Sequence, residues 1–129
     1  AEYDLETSLF TYSSAGHNPL VVYKKEEDSV ELYGTKGVAI GFIQEYDYKK
    51  NSFEVKNGDI IIFYTDGIIE SENKNRELFG TQRLLDIVYE NKDLSAKELK
   101  EKILEGIDNF REEYEQTDDI TFVILKSAK

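Results

Sequence analysis

Short apolar runs separated by polar turns dominate the first half of the chain, and this pattern predicts β-strands. The run at 60–64 is apolar throughout, which is typical of a strand buried on both faces. Residues 15–19 and 56–59 carry the glycine and asparagine that mark turns between such strands. The strands predicted in this half, of which the first three form a meander, are 9–13, 20–23, 30–33, 46–55 and 60–64.

The apolar spacing becomes helical after residue 80. Thr81 is the predicted N-cap of a helix that ends near Asn91, with apolar residues between 84 and 88 along one side. Ser95 and Glu98 form a capping-box signature, in which each side chain satisfies a backbone amide of the other residue, and this predicts a second helix. The apolar face of that helix comprises Leu99, Ile103, Leu104, Ile107 and Phe110.

A last apolar run at 120–125 predicts a strand that returns to the sheet. Strands followed by two consecutive helices and a returning strand indicate an α+β fold, with the helix pair on one face of a largely antiparallel sheet. If the runs 60–64 and 120–125 are antiparallel neighbours, the end of the first strand meets the start of the second. The residues that flank these two ends would then share one edge of the sheet.

Acidic residues flank both of these ends. Asp66 follows the run 60–64, whereas Asp118 and Asp119 precede the run 120–125. Carboxylate oxygens suit Mg²⁺ or Mn²⁺, and two carboxylates brought together without a cation repel each other. The alternative is structural, because Asp-Gly after a strand is also a turn signal and an acidic pair before a strand also forms a solvated turn. The spacing alone leaves both interpretations open.

Composition limits the function classes further. The 129 residues form one domain or part of one, and they include no Cys, which removes thiolate catalysis, disulfides and Cys-ligated zinc. A net charge of −11 argues against nucleic acid and anionic membrane surfaces as partners. No apolar stretch approaches the roughly 20 residues of a membrane span. We therefore expect no direct membrane insertion and a cytoplasmic location.

Several motifs follow one another in order along the chain: AGHNP at 15–19, GVAIG at 37–41, KNGDIIIFYTDGIIES at 56–71, NRELFG at 75–80 and DDITFVILK at 118–126. Together they resemble the PPM metal-dependent Ser/Thr phosphatases. More narrowly, they are similar to the bacterial branch that includes the stage II sporulation E and sigma-factor-regulator phosphatases. The resemblance extends over almost the whole chain.

The resemblance implies an α-β-β-α sandwich with a two-metal centre of Mn²⁺ or Mg²⁺. In such a centre an activated water hydrolyses phosphoserine or phosphothreonine on a protein substrate. Asp66 and Asp118 match metal-binding aspartates of the family, and no catalytic residue beyond the metal ligands is implied. Gly67 matches a glycine that turns the chain tightly beside the site, and Asp119 lies near the site in a supporting role. His17, the single histidine, is expected to have a structural role.

The chain also departs from the family pattern, because no Asp-Gly pair that would bridge the two metals precedes Ala15. Residues 1–129 are therefore expected to be the C-terminal part of a single PPM-type phosphatase domain, possessing little activity in isolation. The resemblance implies a phosphorylated protein substrate in bacterial signalling, such as an anti-sigma-factor antagonist. Two alternatives stay open: a non-catalytic PPM-like module that binds a partner, and an acidic β-rich domain that binds Ca²⁺ for stability.

Overall fold

The computed structural model describes residues 1–112, 114 and 118–128. Within these residues the chain forms seven strands and three helices. In chain order they are β1 (Glu2–Asp4), β2 (Leu9–Ser13), β3 (Leu20–Lys24), β4 (Ser29–Tyr33), β5 (Lys50–Glu54), β6 (Ile60–Tyr64), α1 (Asp66–Ile69), α2 (Gly80–Glu90), α3 (Ala96–Arg111) and β7 (Phe122–Lys126).

The described strands form two antiparallel sheets. Sheet 1 has the strand order β1-β2-β5, and sheet 2 has the order β4-β3-β6-β7. The predicted antiparallel α+β architecture is therefore confirmed. The predicted meander is correct only for the β3–β4 hairpin, because β2 belongs to sheet 1 and residues 14–19 cross from one sheet to the other. Both faces of β3 are buried, whereas β2 alternates between buried and exposed positions, so the two strands suit different layers.

Strand β6 lies at the centre of the molecule and divides the core into two clusters. Ile60, Ile62 and Tyr64 pack on the side of the helices, whereas Ile61 and Phe63 face the cluster shared with sheet 1. A strand that is covered on both faces loses the alternation of apolar and polar residues, which explains the uninterrupted apolar run in the sequence.

Helices α2 and α3 pack against sheet 2, as predicted. Their buried residues join the same cluster as Ile60 and Ile62, and in sequence order they are Leu84, Val88, Leu99, Ile103 and Ile107. Among the described residues, the layers are thus the helices, sheet 2 and sheet 1, in that order. Within the same residues, no helix combines the length and apolar character needed to cross a bilayer.

Of the two predicted helix caps, the structure has the one at α3 and lacks the one at α2. The capping box of α3 is confirmed, since the Glu98 amide donates to Ser95 Oγ at 3.2 Å and the Ser95 amide donates to Glu98 Oε2 at 2.9 Å. The predicted cap of α2 is wrong, because the N-cap residue is Phe79, which makes no side-chain cap hydrogen bond, and Thr81 lies inside the helix. Phe79 is only 1% exposed, so burial of its ring in the core sets the start of this helix.

Strand β5 is shorter than the predicted run 46–55, because it begins at Lys50. Tyr48, which precedes the strand, contacts a loop: its hydroxyl donates a hydrogen bond to the carbonyl oxygen of Val38 at 3.0 Å. The apolar segment 37–41, which contains Val38, forms a loop. Packing of one loop on another has therefore replaced strand pairing in this part of the chain.

A buried carboxylate ties the two sheets together at the start of β6. Asp59 is 1% exposed and accepts hydrogen bonds from Lys24 Nζ at 2.8 Å, from the Lys25 amide at 2.9 Å and from the Lys56 amide at 3.0 Å. Lys24 Nζ also donates to the carbonyl oxygen of Glu54, at the end of β5. The Lys24 ammonium, held by Asp59, thus joins the end of β3 in sheet 2 to the end of β5 in sheet 1 through its hydrogen bond to Glu54.

We predict that Asp59→Ala lowers the free energy of unfolding in urea by about 3 kcal/mol, because it leaves the nearly buried Lys24 ammonium without its counter-charge. The matched control is Glu26→Ala, which removes the exposed partner of Lys56. Solvent screens an exposed ion pair of this kind, so its loss should change the free energy of unfolding much less than the loss of Asp59. Equal effects of the two substitutions would contradict the role assigned to Asp59.

Candidate metal centre

The pairing of β6 with β7 brings the two acidic motifs to one edge of sheet 2. The strands are antiparallel with Tyr64 opposite Phe122, which confirms the predicted pairing. Just beyond the ladder, the Thr65 amide donates to the carbonyl oxygen of Thr121 at 3.0 Å. The residue after Thr65 is Asp66, and the segment that leads to Thr121 contains Asp118 and Asp119.

The Thr65 hydroxyl fixes the segment that carries the acidic pair. Its Oγ1 accepts a hydrogen bond from the Thr121 amide at 3.1 Å. The same oxygen lies 3.3 Å from the carbonyl oxygens of both Asp119 and Thr121, and it can donate its single proton to either of them. Thr65 therefore ties the residue before Asp66 to the backbone of the 118–121 segment.

Gly67 allows this segment to approach α1 closely. A Cβ atom at position 67 would lie 2.2 Å from the carbonyl oxygen of Asp119 and 2.8 Å from its carbonyl carbon. Any side chain would force the two backbones apart. The φ angle of Gly67 is not positive, so the tight-turn explanation from the sequence is replaced by close backbone contact.

The three aspartates at this edge are exposed. Asp66 Oδ1 accepts a hydrogen bond from Asn18 Nδ2 at 2.7 Å, and Asp118 Oδ1 accepts one from the Asp119 amide at 2.7 Å. Beside them, burial raises the pKa of the Tyr64 phenol, and the negative charge of Asp66 raises it further. A cation at this edge would offset the repulsion between the carboxylates.

Asn18, in the crossover between the sheets, lies beside the candidate metal centre and was not predicted as a site residue. Asn18 lies in the AGHNP motif, which marked the family but carried no assigned chemistry. His17 Nδ1 lies 2.9 Å from the Asn18 carbonyl oxygen, so the histidine makes a local contact within the loop. Asn18 and Asp66 are 48 positions apart, and no pattern in the sequence predicts that they are in contact.

A cavity of about 210 Å³ opens next to Asn18. The side chains that line it carry no formal charge when His17 is neutral. In sequence order, the lining residues are Ala1, Tyr12, Ser13, Ser14, His17, Asn18, Leu20, Tyr33, Gly34 and Phe63.

The donor set at this edge fits one side of a hydrated Mg²⁺ or Mn²⁺ site. Such hard cations prefer oxygen ligands, and Mg²⁺ keeps several waters while it binds one or two protein carboxylates. Asp66 and Asp118 can supply two carboxylates. Within residues 1–112, 114 and 118–128, however, no group of three or more His, Cys, Asp or Glu side chains is arranged to hold a metal ion. A site built from the described residues alone would therefore hold a cation through at most two carboxylates, and water would complete its coordination.

Comparison with known proteins places this arrangement in a family. The family profile described as "Stage II sporulation protein E (SpoIIE)" matches residues 1–128. The chain is 29% identical over 126 residues to "Phosphoserine phosphatase RsbU" of Bacillus subtilis (strain 168), a match that covers 98% of the chain and 37% of RsbU. It is 30% identical over 127 residues to "Protein IcfG" of Synechocystis, covering 95% of the chain and 19% of IcfG. The chain thus spans well under half the length of these relatives.

Solved structures show the same fold. The SiaA-PP2C domain of Pseudomonas aeruginosa superposes with a TM-score of 0.79 at 21% identity, and the match covers 93% of this chain and 47% of that one. The PP2C phosphatase domain of SpoIIE from Bacillus subtilis gives a TM-score of 0.73 at 25% identity, with coverages of 96% and 35%. Because the family profile also matches nearly every residue, the chain belongs to the stage II sporulation protein E (SpoIIE) family of PPM-type phosphatases.

Proposed function

We propose that this chain is part of a metal-dependent phosphoprotein phosphatase that hydrolyses phosphoserine or phosphothreonine. The observation that carries the proposal is the shared edge of β6 and β7, where the backbone segment before Asp66 contacts the segment that contains Asp118 and Asp119. Two relatives, RsbU and RsbP of Bacillus subtilis, are named phosphoserine phosphatases. The solved relatives also include a SpoIIE phosphatase domain presoaked with Mn.

In this proposal Asp66 and Asp118 hold a divalent cation, Mn²⁺ or Mg²⁺, at the edge of sheet 2. When bound, the cation supplies Lewis-acid activation of water and positive charge near the phosphoryl oxygens. Gly67 and Thr65 keep the two carboxylate-bearing segments in contact. Asp119 contributes its backbone to that contact and lies near the site in a supporting role.

We also propose that residues 1–129 form the C-terminal part of a PPM-type domain. The chain covers 47% of the SiaA-PP2C structure, which supports a partial domain, and the proposed C-terminal position rests on the order of the sequence motifs. A bridging Asp-Gly carboxylate would come from an upstream segment, so the activity expected of this chain alone is low. The proposed substrate is a phosphorylated regulatory protein of a cytoplasmic signalling pathway, such as an anti-sigma-factor antagonist.

Substitution of the two proposed ligands tests the metal site. Asp66→Asn and Asp118→Asn should each weaken Mn²⁺ binding by about 10-fold or more in calorimetric titrations, because each replaces an anionic ligand with a neutral one. Asp93→Asn, between α2 and α3, is the matched control, since it removes the same charge at an exposed position. Its affinity for Mn²⁺ should stay within about twofold of the wild-type value.

Three results would contradict this assignment. Unchanged affinity in both ligand variants would remove the aspartates from the site. Tighter binding of Ca²⁺ than of Mn²⁺, with a large rise in melting temperature, would favour the calcium-stabilised alternative. Absence of wild-type Mn²⁺ binding would count against a metal site in this chain and would favour a partner-binding module.

A substitution at Gly67 tests the backbone contact. Gly67→Ala should lower the free energy of unfolding by about 1–3 kcal/mol, because a Cβ atom cannot fit against the Asp119 carbonyl group. It should also weaken Mn²⁺ binding, although every carboxylate is retained. Gly106→Ala in α3 is the control, since its Cβ atom would meet only the end of the flexible Ile87 side chain. Unchanged Mn²⁺ affinity in Gly67→Ala, or an equal loss in the control, would refute the role of this contact.

A further inference from the structure

The contact between Asn18 and Asp66 joins the crossover loop of one motif to the proposed metal ligand of another. Asn18 Nδ2 lies 2.7 Å from Asp66 Oδ1. A carboxylate only accepts hydrogen bonds, so the carboxamide must present its NH₂ group to Asp66. Hydrogen bonds of this length to an ionised acceptor are among the stronger ones in proteins.

The Asn18 carboxamide, unlike a lysine or arginine side chain, does not neutralise the negative charge of the Asp66 carboxylate. An amide is neutral, so it orients the carboxylate and leaves its negative charge available to a cation. A cationic partner would compete with the metal for the same charge. The choice of an asparagine at this position therefore suits a carboxylate that has to bind a divalent ion.

Local contacts hold Asn18 within its loop. Pro19 follows directly and restricts the backbone of Asn18 to extended conformations. His17 Nδ1 contacts the Asn18 carbonyl oxygen at 2.9 Å. Ser14 Oγ both accepts from the His17 amide and donates to the His17 carbonyl oxygen, each at 3.1 Å. The backbone on either side of the Asn18 side chain is thus fixed.

The neighbouring loop, residues 34–41, braces the crossover loop in turn. The Ser14 amide donates to Thr35 Oγ1 at 2.9 Å. A Cβ atom on Gly37 would lie 1.9 Å from the Ser14 carbonyl oxygen, and one on Gly16, at φ +83°, would lie 3.2 Å from the amide nitrogen of Ala39. The glycines of both motifs therefore permit a close fit between two loops, and Asn18 lies at the end of this chain of contacts.

We infer that Asn18 is a positioning residue for Asp66: its carboxamide occupies Oδ1 and fixes the side-chain rotamer in which Oδ2 serves as a metal ligand. Contacts between the crossover loop, which contains AGHNP, and the neighbouring loop at 34–41 keep Asn18 in this position. The inference rests on the proposed function through the role of Asp66 as a ligand. The contact itself requires no metal, so it can be tested in the metal-free protein.

The first experiment measures the χ1 rotamer of Asp66 in the metal-free chain by three-bond NMR couplings to its carboxyl carbon. We expect couplings of a single rotamer in the wild type and averaged couplings in Asn18→Ala. Asn18→Asp, which keeps the shape but lacks the donors, should also average them. Asn109→Ala, the same substitution at an exposed position of α3, should retain the wild-type couplings. Unchanged couplings in Asn18→Ala would overturn the inference.

The second experiment measures Mn²⁺ affinity by calorimetry in the same variants. Asn18→Ala should weaken binding by about 10-fold, the usual effect of losing a group that orients a metal ligand. Its backbone amide spectrum and melting temperature should stay close to those of the wild type. The loss of affinity would then result from a misplaced Asp66 side chain and not from unfolding. An affinity within twofold of the wild-type value would refute positioning. If the wild-type chain binds no Mn²⁺, the proposed function fails, and the Asp66 couplings still decide the inference.

Discussion

The register of β6 against β7 is the constraint on which the remainder of this structure depends. With Tyr64 opposite Phe122, the segment before β7 meets Thr65 and Gly67, and the acidic motifs share an edge. A shift of one residue would turn Phe122 and the apolar residues of β7 that face the helices toward the opposite face of the sheet. The packing of the core and the placement of the carboxylates therefore require the same register.

The candidate centre combines rigid and irregular elements in a way that follows from this constraint. Asp66 is the first residue of α1 and is separated by Thr65 alone from β6, a strand buried on both faces, so its backbone has little freedom. The loops around it are irregular, but glycines let them pack closely and hydrogen bonds connect them. The crossover from sheet 1 to sheet 2 passes this edge, which explains how residues from distant parts of the sequence meet there.

Much of the fold could be predicted from the sequence, because its signals are local. The apolar run of β6 and the Ser95–Glu98 capping box each specify an element from a few adjacent residues. The predictions failed where tertiary packing overrode such signals, as when burial of Phe79 displaced the expected cap of α2. The family resemblance is confirmed by the match over residues 1–128. The contact of Asn18 with Asp66 could not be predicted, because it depends on a crossover that no local pattern records.

The ion pair of Asp59 with Lys24 lies at the opposite end of β6 from Asp66, roughly 20 Å away along the strand. Energetic effects at sites separated by this distance usually add independently. Substitutions around Asp59 can therefore change thermal stability without altering the geometry of the candidate metal centre at the other end. Stability and the candidate centre are thus separable properties at the two ends of a single strand.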